Sequence, residues 1–192
     1  MNKNIIISAC ISLLFIGCKH KNKGNKEDSA FFPVLSFLKS QVTQIDTSTY
    51  NLLRIVTVDS LVDSSYIKKE EFRGLAKDFL ETPDISEKIF KEKYREDRLY
   101  DESLNKVILT YTPVDTNMQV LREEVIISPS GPNGDEVRSI IIEKIRDEKD
   151  STILKRLLWQ VNESFQIVTT IQKPDHDDVT YTLQVIWNKK QE

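Results

Sequence analysis

The chain has 192 residues, with 30 acidic against 27 basic side chains, a formal charge of −3, and only two cysteines and two histidines. Mild acidity, without a basic face interleaved with aromatics, excludes nucleic acid as the partner. Only five glycines are present, with no Gly-rich phosphate loop, no paired cysteines and no His-Glu-x-x-His pattern, so no cofactor or metal is expected.

The first segment carries the strongest signal. A positive start at Lys3 leads into an apolar run from Ile5 to Gly17, and Cys18 follows. The run is shorter than the ~20 apolar residues a membrane-crossing helix needs, and Lys19, His20 and Lys21 end it. Two cysteines compete for one role. Ile7-Ser8-Ala9-Cys10 has the more favourable letters, but only Ile5 to Ala9 precede Cys10, short of the ~7 to 15 apolar residues of an export signal. Cys18 has the full run before it.

The stretch Leu14-Phe15-Ile16-Gly17-Cys18 resembles the lipobox at which bacterial lipoprotein precursors are acylated and cut. That resemblance implies a signal peptide over residues 1–17, lipid attachment at Cys18, and the membrane as a partner through the N-terminal anchor. In Gram-negative lipoproteins an Asp after the cysteine typically goes with inner-membrane retention. Lys19 stands there instead, so the resemblance points to the cell envelope at the outer membrane. Cys10 would leave with the signal, and the folded domain would keep no thiol for disulfides or thiolate catalysis.

Residues 18–30 contain the lipidated Cys18 and a Lys-rich stretch with nothing apolar between Lys19 and Ser29, which reads as a flexible tether. It is read as a solvated spacer; the alternative is contact of its lysines with anionic head groups, at up to ~1 kcal/mol each where such lipids are present. Residues 31–192 are long enough for one core and form a single domain.

That domain opens with helical spacing. Val34, Leu35, Leu38, Val42 and Ile45 recur at intervals of three and four after Pro33, predicting a helix over about 33–46. Leu52 to Val58 is dense in branched residues and reads as a strand ended by Asp59-Ser60. Phe72, Leu75, Ala76, Phe79 and Leu80 predict a helix over 68–80, stopping before Pro83, and a shorter one follows near Ile85 to Phe90.

From about Tyr94 the rhythm changes to period two. Val107, Leu109 and Tyr111 alternate, as do Leu157, Trp159 and Val161, and then Val179, Tyr181, Leu183, Val185 and Trp187. Turn signals fall at 114–117, 128–135, 147–150, 162–164 and 174–178. Connections this short force neighbouring strands to run antiparallel. The expected class is α+β, with N-terminal helices packed on one face of a long antiparallel β-meander.

Chemistry is sparse in this domain, and no catalytic residues are assigned. His176 lies among Asp175, Asp177 and Asp178, but the segment lacks the calcium-loop glycine and terminal Glu, and it reads as a charged turn. Glu123 and Glu124 are adjacent carboxylates that a strand would point to opposite faces, so they cannot flank one bond. Trp159, Phe165, Tyr181 and Trp187 share odd parity and would gather on one face, either as core or as the lining of an apolar pocket. The opposite face, with Thr110, Thr112, Thr170, Gln172, Thr180, Thr182 and Gln184, would be a neutral surface fit for solvent or for docking. The expected function is that of a non-enzymatic accessory lipoprotein with an envelope protein partner; the alternative is a carrier of a lipid or other apolar ligand between sheet and helices.

Overall fold

The computed structural model describes residues 31–131 and 134–187. Cys10, the signal at 1–17, Cys18 and the tether at 18–30 lie outside the described residues. Helix α1 spans Val34–Asp46 and buries Val34, Leu38, Val42 and Ile45, the stripe that its spacing predicts. Strand β1 (Leu52–Val58) turns back at once into β2 (Leu61–Ile67). Three short helices follow: α2 (Lys69–Leu75), α3 (Lys77–Leu80) and α4 (Lys88–Lys91).

Two expectations need correction here. The helix expected over 68–80 is interrupted at Ala76, where ψ is 3°, two residues after Gly74, whose lack of a side chain weakens helix propagation. The first half is also not purely helical around a single strand, because residues 61–67 form a second strand. Its side chains are mostly exposed, so pairing with β1 rather than a buried face holds β2 in place, and no period-two pattern announces it. The helix expected at 85–90 is the single turn α4.

The remaining strands are β3 (Tyr94–Asp101), β4 (Lys106–Pro113), β5 (Val120–Gly131), β6 (Gly134–Glu148), β7 (Ser151–Gln160), β8 (Ser164–Gln172) and β9 (Val179–Ile186). They form the expected meander, and the β1–β2 hairpin extends it, because β1 pairs antiparallel with β9. The result is one nine-stranded antiparallel sheet in the order β2-β1-β9-β8-β7-β6-β5-β4-β3, accompanied by a few short helices.

With so few glycines, the tight turns use Asp and Asn. Asp59, Asn105, Asn162 and Asp175 all have φ between 48° and 62°, each in the connection after a strand. Short polar side chains tolerate this left-handed conformation better than other non-glycine residues do.

Register sorts the sheet into rows. Ile140, Trp159, Phe165 and Val185 face one another across β6 to β9; the next row is Ile142, Leu157, Ile167 and Leu183. Of these eight, all but the half-buried Leu183 are buried, and they join Phe72, Phe79 and the buried stripe of α1 in one hydrophobic cluster. Each large apolar side chain so buried contributes roughly 1.5–3 kcal/mol. A third row along the same face is polar: Lys144, Lys155, Thr169 and Tyr181.

Candidate functional site

Three of the four aromatic residues singled out in the sequence meet. Trp159 and Phe165 are cross-strand partners whose rings stack at 5.5 Å and 20°, and Trp187 lies 5.4 Å from Trp159. Phe72 and Phe79 close on the group, with centroids 5.2 to 6.3 Å from those rings. Trp159 and Phe165 are fully buried, and the indole Nε1–H of Trp159 has no hydrogen-bond partner among the described residues. Tyr181 shares their face but not their company; it stands in the polar row, half-buried beside Thr169.

That polar row borders a cleft against α2 and α3. The larger recess, about 330 Å³, is lined by Gly74, Leu75, Lys155, Thr169, Tyr181 and Leu183 among others. A smaller one of about 90 Å³ reaches Lys144 and Gln119, and the two share Asp78, Glu81, Arg146 and Lys155. Sequence reading pointed to none of these lysines.

The charges of the cleft are built around Asp78. Lys155 Nζ donates to both its carboxylate oxygens, at 2.8 and 2.7 Å. Lys144 Nζ donates to the Asp78 carbonyl at 2.6 Å and to Thr82 Oγ1 at 3.3 Å, and sits 3.6 Å from Asp78 Oδ1. Desolvation pushes Lys144 below the usual lysine range, against the pull of Asp78, and the like charge of Lys155 pushes the same way. Two ammonium groups thus share one carboxylate. At the rim, Lys77 pairs with Glu81 at 3.5 Å and Arg146 with Glu148 at 2.8 Å. Thr169, only 1% exposed, lines the cleft with its Oγ1 unpartnered among the described residues.

A second polar feature lies further along the same face. Glu123 sits between Tyr111 and Ile142 in the register, 1% exposed, with Oε1 unpartnered among the described residues. Burial, helped by the negative charge of Asp84, pushes its carboxyl up to about 8. Tyr94, whose hydroxyl donates to the Val120 carbonyl at 3.0 Å, is pushed up to about 12 by burial and by Glu123. Glu124 points the other way and accepts from Arg122 at 2.5 Å, so the two carboxylates are on opposite faces, as strand geometry requires.

His176 lies in the exposed β8–β9 turn with Nδ1 2.8 Å from the Pro174 carbonyl, while Asp178 accepts from Gln172 at 2.8 Å. The Thr-rich face is where parity puts it: Thr170 faces Thr180, their hydroxyls 3.0 Å apart, and Thr182 and Gln184 follow on that side.

The two ends of the sheet differ. On β3 the run Arg95-Glu96-Asp97-Arg98 is laced by ion pairs, Arg95 to Asp97 at 3.2 Å and Arg98 to Glu96 at 2.8 Å, although Leu99 and Tyr100 are exposed beyond it. On β2, Leu61, Val62 and Tyr66 are 76%, 67% and 76% exposed, and Asp63 is the strand's one charged residue. A scan of protein-family models, a search of the curated proteins and a search of the solved structures each returned no match.

Proposed function

We propose that the chain is a lipid-anchored protein of the cell envelope, held at the outer membrane through Cys18, that acts without catalysis by docking an envelope protein along β2. The carrying observation is the contrast between the two sheet ends. Sheets protect their edges with charge, proline or twist, because an open row of N–H and C=O groups invites another strand. Charges guard β3; β2 instead offers Leu61, Val62 and Tyr66 to solvent. The partner we infer is an extended segment with apolar residues at alternate positions, adding its backbone to β2 and its side chains to Val62 and Tyr66, which share a face of the strand. In this reading the helices cover one face of the sheet, supported by the contacts of Phe72 and Phe79 with the Trp159 cluster, so docking is lateral.

The test places a photoreactive aromatic at Tyr66 of the full chain in cells. The expected result is one discrete adduct with another protein, lost on the combined Leu61→Lys and Val62→Lys change. It should also be lost on Cys18→Ala, which should leave the chain unacylated and out of the membrane fraction. Failure to form an adduct, or an adduct of two copies of this chain, would overturn the reading.

A further inference from the structure

We propose that the cleft between α2–α3 and the inner row of β6 to β9 binds a small organic anion, its carboxylate or phosphate group held by Lys155 and Thr169. Its apolar body would lie over Leu75, Ile167 and Leu183. Four facts converge on this ligand.

The row Lys144, Lys155, Thr169, Tyr181 presents only groups able to donate a hydrogen bond, in consecutive register positions across four strands. Its two ammonium groups share the carboxylate of Asp78, and at the rim Lys77 and Arg146 already face Glu81 and Glu148, so the inner pair is left with an excess positive charge. An anion beside Lys155, whose side chain is only 19% exposed, would offset that excess through charge-assisted hydrogen bonds.

The hydroxyl of Thr169 is the second, independent pointer. A buried donor without a partner is destabilising, and a ligand oxygen at this position would remove that cost. Thr169 is the cross-strand neighbour of Lys155, and the two residues line the same recess. Access is provided by Gly74, where an added side-chain carbon would meet nothing within 4 Å, and the recess of about 330 Å³ falls at the small end of ligand sites. Its floor of Leu75, Ile167 and Leu183 favours an anion with a short apolar body over a bare inorganic ion.

The experiment titrates the full chain in detergent with hexanoate, hexyl phosphate and hexanol, reading heat and melting temperature. Binding of either anion without binding of hexanol is expected, and the stronger of the two identifies the head group. Equal binding of hexanol, or no binding by either anion, would overturn the proposal. Lys155→Met should weaken the anion about tenfold or more. Thr169→Val keeps the shape and removes only the unpartnered hydroxyl, so the unliganded melting temperature should hold or rise while affinity falls about fivefold. A Thr169→Val protein that binds as tightly as the parent would overturn the role of the hydroxyl even if Lys155→Met fails to fold.

Discussion

Glu123 is a carboxylic acid only 1% exposed, its Oε1 without a hydrogen-bond partner among the described residues. Its ordinary value is near 4.5, and burial raises it to about 8 in the folded chain. The folded protein therefore keeps a proton that the unfolded chain releases between those values. Stability from this group is whole below about pH 4.5, falls by about 1.4 kcal/mol per pH unit through the window, and levels off above about 8. Glu123→Gln should flatten the dependence of the urea midpoint on pH between about 4.5 and 8; a midpoint that still falls in the variant would place the source elsewhere. Strand geometry made legible that Glu123 and Glu124 point apart. It did not reveal which of them is buried, nor that Asp84, from a loop, bears on the buried one. Lys144 was hidden for a related reason: Ile140, Ile141 and Ile142 are consecutive, so parity alone does not say which face of β6 is inside.

Elements with a strong period were readable. Helix α1 follows from a stripe at intervals of three and four, and the meander follows from alternation interrupted by Asp, Asn and Pro. Strand β2 was not, since Asp63-Ser64-Ser65 has neither alternation nor branched side chains to mark it, and a helix broken at Ala76 has the same apolar spacing as an unbroken one. The turns carry their own prediction. Asn162 holds φ at 62° between β7 and β8, where Ala pays the left-handed penalty and Gly does not. Asn162→Ala should lower unfolding free energy by about 1 kcal/mol while Asn162→Gly leaves it near the parent value. Chemical denaturation of the pair checks this, and equal losses would assign the effect to the Asn side chain instead.

At the scale of the molecule, β9 is the joint of the sheet. It pairs with β8 on one side and with β1 on the other, so among the described residues the strand pairing of the first hairpin with the meander runs through it alone. Gln184→Pro in the middle of β9 removes a ladder donor. Amide exchange in β1 and β2 should then accelerate well beyond that of β4 and β5, and uniform acceleration across the sheet would contradict this division. The same joint sets a timetable. A ribosome makes the chain amino end first, so β1 and β2 exist long before the strand that receives them, and contacts across so much sequence form slowly. Until β9 emerges, the hairpin bearing Leu61, Val62 and Tyr66 has no sheet to join, and its two edges are both open. A chaperone that shields that hairpin during synthesis would cover the same surface that we propose for the partner of the finished sheet.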